Sequence, residues 1–202
     1  GQSESVSWSY DSGTFGTGRL SSMTDPTGST AYMLDRRGLL LRETKFIEGT
    51  PYVTAFQYDA EGNRSRITYP SGRVVDYAFD YASRPISATS GATTLVTSAS
   101  YLPFGPLREI VFGNGTIRTM THDQRYRPLT NALTGPEGVI ASYQYEHDAA
   151  GNITRIADVV DPAYDRNFAY DDLHRLVTAN GGIGLWGAGS YAYDAMGNMR
   201  SA

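Results

Sequence analysis

A short phrase returns along this chain about every two dozen residues, and it constrains the fold more than any other feature. The phrase is a large side chain, one spacer, a second large side chain and an aspartate. It reads Trp8-Ser9-Tyr10-Asp11, Tyr32-Met33-Leu34-Asp35, Phe56-Gln57-Tyr58-Asp59, Tyr77-Ala78-Phe79-Asp80, Met120-Thr121-His122-Asp123, Tyr145-Glu146-His147-Asp148, Phe168-Ala169-Tyr170-Asp171 and Tyr191-Ala192-Tyr193-Asp194. Successive aspartates lie 24, 24, 21, 43, 25, 23 and 23 residues apart. Midway through the double interval, Tyr101-Leu102-Pro103-Phe104-Gly105 reads as an eroded copy with Pro103 in the aspartate slot. A fixed period of this length marks a repeat architecture. The expected organisation is one repeat region over 1–202, with eight clear units and one degraded unit of roughly 23 residues each.

Of the 16 ring slots, 12 hold aromatic residues, and the residue between them is small or polar in most copies. Alternation at period two, with large side chains to one side, predicts a β-strand that buries one face. The residues after the aspartate predict why the strand stops. Gly38, Gly62, Gly151 and Gly197 follow three positions later, often with Asn or Arg next. Aspartate at the first corner and glycine at the fourth are type I turn preferences, and the glycine takes positive φ in a hairpin bulge. Ser83, Tyr126 and His174 stand in the glycine slot instead, and the first unit reaches Gly18-Arg19-Leu20 after four extra residues. Those tips are expected to be looser or of another type. A second set of turns lies about ten residues further on, at Asp25-Pro26-Thr27-Gly28, Tyr69-Pro70-Ser71-Gly72 and Gly135-Pro136-Glu137-Gly138, with Gly113-Asn114-Gly115 in a similar role.

The predicted fold class is therefore all-β, with tandem antiparallel hairpins forming one curved, spiralling sheet. About 18 strands at about 4.8 Å each would be too wide to stay flat. The 22 glycines and 9 prolines are scattered throughout, which argues against long helices.

The stretch from Tyr58-Asp59-Ala60-Glu61-Gly62-Asn63-Arg64 through Pro70-Ser71-Gly72-Arg73 to Phe79-Asp80 closely resembles the YD repeat of the Rhs family, and the resemblance extends over nearly the whole chain. Its usual form is Tyr-Asp-x-x-Gly-Arg-Leu with a Pro-x-Gly-Arg turn between copies. The family includes bacterial polymorphic toxins, the C components of insecticidal toxin complexes and teneurins. The resemblance implies a segment of a β-shell without catalytic activity, secreted or at the cell surface, whose partners are neighbouring repeats and an enclosed C-terminal toxin. The repeat residues that carry it are Tyr10, Asp11, Tyr58, Asp59, Gly62, Phe79, Asp80, Asp123, Asp148, Gly151, Tyr170, Asp171, Tyr193, Asp194 and Gly197, all expected to be structural. The family's self-cleaving core and toxin are not carried over, because the chain stops inside a repeat. With Gly1-Gln2 at its start, it is expected to be an interior piece of something longer.

Other chemistry is weighed against this frame. A net charge of −4 argues against a partner bound through phosphates, so nucleic acid is not expected. No membrane span is expected, since no run approaches the roughly 18 apolar residues required. There is no cysteine and only three histidines. His122-Asp123 and His147-Asp148 form possible metal or general-base pairs, but each histidine fills a ring slot, and His174 fills a turn slot. Gly182-Ile183-Gly184-Leu185-Trp186-Gly187 matches a dinucleotide string without the following helix, and is read as an inter-strand loop. Asp158, Asp161, Asp165, Asp171 and Asp172 are read as a solvated face, lacking a calcium-loop pattern. Three N-glycosylation sequons, at Asn63, Asn114 and Asn152, are explained by turn preference. Arg64, Arg73, Arg84 and Arg175 are read as surface ties that stack on rings or fork onto carboxylates. No catalytic, cofactor or metal residue is assigned. The alternative function is adhesion or carbohydrate binding through exposed Trp8, Trp186 and tyrosines, with glycans as the partner.

Overall fold

The computed structural model describes residues 5–182 and 184–201. The chain divides into two compact units between Thr97 and Ser98, within one strand. The only helical segment among the described residues is a single 3₁₀ turn, Pro162–Tyr164. The all-β antiparallel fold class is the one the repeat predicts.

The first unit contains β1 (Ser7–Tyr10), β2 (Leu20–Asp25), β3 (Gly28–Leu34), β4 (Leu40–Ile47), β5 (Thr50–Tyr58), β6 (Arg64–Thr68), β7 (Val74–Phe79), β8 (Pro85–Ser90) and the start of β9 (Thr93–Tyr101). Each strand pairs antiparallel with the next in the chain. In the second unit β10 (Leu107–Phe112), β11 (Ile117–His122), β12 (Pro128–Gly135), β13 (Gly138–His147), β14 (Ile153–Asp158), β15 (Arg166–Tyr170), β16 (Leu176–Gly181) and β17 (Ala188–Ser190) follow the same rule. A last pair, β18 (Ala192–Tyr193) and β19 (Met199–Ser201), forms its own two-stranded sheet. Pairing in chain order follows from the short turns, since neither end of a four-residue tip can reach a non-adjacent strand.

One irregularity recurs at each of the eight recurring aspartate phrases. The register slips at the ring slot just before it, between Gln57 and Tyr58, Ala78 and Phe79, Glu146 and His147, and the corresponding pairs elsewhere. Tyr58 thus faces Arg64 while Gln57 faces Arg66, leaving Ser65 as the extra residue of a bulge. A bulge of this kind raises the local right-handed twist.

The ring slots alternate as predicted. Phe56, Tyr58, Tyr77, Phe79, Tyr145, Phe168 and Tyr170 are half-buried, and the spacers Gln57, Ala78, Glu146 and Ala169 are exposed. Burial is shallower than expected, however. No large side chain among the described residues is fully buried, and the buried apolar set is Val75, Ala88 and Ala179. In the first copy Trp8 and Tyr10 remain 56% and 57% exposed, contrary to the expectation of burial.

Candidate functional site

The residues that recur are gathered at the hairpin tips. At each tip the aspartate N–H donates to the carbonyl four residues on, and the N–H three residues on donates back to the aspartate carbonyl. For Asp59 the partners are Asn63 at 3.0 Å and Gly62 at 3.3 Å; for Asp148 they are Asn152 at 3.0 Å and Gly151 at 3.1 Å; for Asp194 they are Asn198 at 3.0 Å and Gly197 at 3.1 Å. The carboxylate closes the turn a second time. Its Oδ1 accepts from the amide four residues later, at 2.7 Å from Asn63 and 2.9 Å from Arg175. Its Oδ2 accepts from that residue's own side chain, from Asn63, Asn152 and Asn198 Nδ2 or from Arg84, Arg127 and Arg175 Nε. Asparagine and arginine alternate in that position because both carry an N–H at the reach the carboxylate needs.

These bonds hold the tip carboxyls below the usual aspartate value. The side-chain bonds from Asn63, Arg84, Asn152, Arg175 and Asn198 are the largest cause at Asp59, Asp80, Asp148, Asp171 and Asp194. At Asp35 and Asp123 desolvation pushes upward, and the amide and guanidinium bonds outweigh it.

Three expectations about the tips need correcting. Ser83, Tyr126 and His174 sit at φ 59°, 61° and 59°, in the same left-handed region as Gly38, Gly62, Gly151 and Gly197, and their N–H groups close the turn at 2.9–3.0 Å. Their tips are not loose, because two carboxylate bonds impose the geometry on whatever residue is there. In the eroded copy the aspartate slot belongs to Leu102 and not to Pro103. Leu102 N–H donates to Pro106 O at 3.0 Å, and Gly105 N–H to Leu102 O at 3.2 Å. Proline has no N–H and cannot fill a slot whose first duty is to donate one. The acidic region is also not a plain solvated face. Asp158 Oδ1 accepts from the amides of Val160 and Asp161, Asp161 caps the 3₁₀ turn at Ala163, and Asp165 joins Arg155 to the Asp158 amide.

The stretched first tip keeps the pattern with Arg19 in the later slot: Asp11 N–H donates to Arg19 O at 3.1 Å, and Asp11 itself has φ 63°.

Tips are tied to their successors. Arg19 Nη1 donates to Asp35 O, Arg37 to Asp59 O and Ala60 O, Arg127 to Asp148 O, and Arg175 to Asp194 O, at 3.0–3.4 Å. The glycine slot makes room for this. A Cβ on Gly38 would lie 3.0 Å from the Arg19 guanidinium carbon. The ring before the aspartate ties backwards. Tyr58 Oη donates to Leu40 O, Tyr170 Oη to Ile153 O and Tyr193 Oη to Leu176 O, at 2.9–3.0 Å. This bond explains why tyrosine, and not phenylalanine, stands beside the aspartate in these copies; the alternation pattern reports only size and misses it. Phe79 has no hydroxyl to offer.

The surface arginines divide by role. Arg64 lies 4.4 Å over the Phe56 ring and Arg175 4.8 Å over Tyr193. Arg84 pairs with Asp80, and Arg73 Nε donates to Ser90 Oγ. His122 and His147 are half-buried in ring slots, and His174 Nδ1 meets Asn152 Nδ2 at 3.1 Å. Among the described residues no group of three or more His, Asp and Glu side chains is arranged to hold a metal ion. The stretch from Gly182 to Gly187 connects β16 to β17, with Ile183 outside the described residues. No described helix is long and apolar enough to cross a membrane.

With this geometry in hand, comparison with known proteins is informative. Residues 58–95 match the RHS repeat family model. No curated protein sequence matches the chain. Among solved structures, the chain is similar to TcdB2-TccC3, with a TM-score of 0.82 and 18% identity over 96% of its own length. It is similar at a TM-score of 0.79 and 18% identity to a chain of a Photorhabdus luminescens Tc holotoxin pore. It spans 12% of the length of each of those chains. The chain thus carries an RHS repeat at 58–95, repeats the same aspartate tip on either side of it, and shares its fold with these toxin-complex chains.

Proposed function

We propose that this chain is one continuous stretch of the wall of an Rhs-type shell, non-catalytic in itself, which encloses or presents a toxin polypeptide in a secreted or surface-displayed protein. The observation that supports this most is the chain-order tying of tips. The recurrent residues bond to neighbouring repeats and to their own turns. The named repeat residues, from Tyr10 and Asp11 to Asp194 and Gly197, accordingly serve the wall. The resemblance to toxin-complex structures over 96% of the chain adds the setting. The test is protease digestion of the chain expressed with its flanking sequence. A segment beyond the repeats should survive in the native protein and be cut after denaturation. Equal cutting in both states refutes the enclosing role.

A second reading, sugar binding, is favoured by one observation: Trp186 is 55% exposed, with its ring laid on Gly181, where a Cβ would come within 2.9 Å. Glycan binding that is lost in Trp186→Ala would support it over the wall alone.

A further inference from the structure

The inference deepens the shell reading and rests on it, by naming a contact through which the ring-bearing face holds a polypeptide. In the second unit, β10 to β13 form a groove of about 520 Å³ on that face, floored by Phe112, Leu133, Ala141 and Tyr143. Its polar side chains are already partly committed. Arg118 Nε donates to Asn131 Oδ1 at 2.9 Å, and Asn114 Oδ1 accepts from Thr116 N and Oγ1 at 3.0 and 2.7 Å. Each amide oxygen thus already accepts at least one bond, while the two NH₂ groups and the Arg118 Nη atoms have no acceptor among the described residues. Arg118 is half-buried and belongs to no ion pair among the described residues. A second guanidinium, that of Arg166, lies 5.6 Å over the Tyr143 ring and is equally unpaired among them. No carboxylate lines the groove; Asp158, the cross-strand neighbour of Tyr143, is bonded to the Val160 and Asp161 amides.

In a chain of net charge −4 this is a local excess of donors around an apolar floor. Its complement is an acceptor carrying negative charge beside apolar surface. A carboxylate, which only accepts, matches these surplus donors better than a sugar hydroxyl, which brings a proton of its own. A small molecule needs roughly 70–90% of its surface covered, and a single sheet layer covers one side. A side chain on a polypeptide held elsewhere has no such requirement. We propose that this groove receives the carboxylate of an aspartate or glutamate carried next to an apolar residue on a polypeptide segment, with the Arg118 guanidinium as its forked partner.

The test is NMR titration of the 202-residue chain with N-acetyl-Leu-Glu-Leu-amide, following arginine Nε–H and asparagine side-chain signals. Shifts should centre on Arg118, Asn131 and Tyr143. The Gln counterpart should bind about tenfold more weakly, because a charge-assisted bond becomes a neutral one. Arg118→Gln should lose binding. Since that change also breaks the bond to Asn131, Asn131→Asp provides a variant that keeps an acceptor for Arg118 and places a carboxylate in the groove; it should fold and bind no peptide. Equal affinity for the Glu and Gln peptides, shifts centred elsewhere, or binding of maltose in the groove would overturn the proposal. The peptide result is read on the chain alone, so it can fail while protease protection by the shell stands, and the converse.

Discussion

Ser83 offers a clean way to measure what the tip geometry imposes. It is exposed, its side chain makes no hydrogen bond among the described residues, and its backbone sits at φ 59° where the equivalent Gly62 has 94°. An L-residue in the left-handed region is disfavoured by about 1–2 kcal/mol. Glycine's greater freedom in the unfolded chain offsets about 0.5–1 kcal/mol of the gain. Ser83→Gly should therefore stabilise the protein by about 0.5–1 kcal/mol, which at a urea m-value of about 2 kcal/mol/M raises the midpoint by about 0.3–0.5 M. The reverse change, Gly62→Ala, isolates the same backbone effect. A Cβ there would lie 3.9 Å from Leu39 Cδ1, ordinary contact, so the expected loss of about 1 kcal/mol is conformational and not steric. Both changes are read from urea titrations followed by far-UV circular dichroism, with slopes compared to confirm that cooperativity is unchanged. Tyr126 and His174 are less suitable, because the Tyr126 ring flanks Gly105 and His174 bonds to Asn152. If Ser83→Gly lowers the midpoint while Gly62→Ala leaves it in place, the tip does not impose its backbone as argued.

Three further outcomes are expected. Tyr58→Phe and Tyr193→Phe each remove one bond to the preceding repeat and should lower stability by about 0.5–1.5 kcal/mol, checked by the same titration. Gly28→Ala should be much worse than Gly62→Ala, by about 2–3 kcal/mol in all, because its Cβ would come within 1.9 Å of Phe46 O and force backbone apart; thermal melts distinguish the two. The tip carboxyls have folded values below 3.8, so the stability they confer is fully present above that pH and is lost as pH falls through their lower folded values. Acid titration followed by tyrosine fluorescence should show cooperative unfolding confined to that region, and a transition centred near neutral pH would contradict it.

Much of this was legible from residue spacing. The interval between aspartates marks the hairpins, and the alternation of Tyr77, Ala78 and Phe79 marks which side chains share a face. Composition could not report how deep that face lies, since half-burial in one layer and full burial between two produce the same alternation. The tip at Leu102 was misplaced by one residue because proline is a strong turn signal, whereas the slot is defined by a backbone donor that proline lacks. Ser83, Tyr126 and His174 looked like broken tips because glycine is the cheapest occupant of a left-handed position, not the obligatory one when a carboxylate holds both sides. The turn at Glu48-Gly49, with φ 49° and 78°, went unread for lack of a proline or Asx signal. The tyrosine hydroxyls were invisible to any argument from size and polarity.

Those hydroxyl and guanidinium ties have a bearing on biosynthesis. They join residues 16 to 23 apart, so none has to wait for a distant part of the sequence. Tyr58 finds its acceptor on a strand that left the ribosome 18 residues earlier, and Tyr193 finds its own 17 residues back. Each newly emerged hairpin can lock onto the one translated before it, so the sheet can grow at the pace of translation with little unpaired strand edge exposed at any moment.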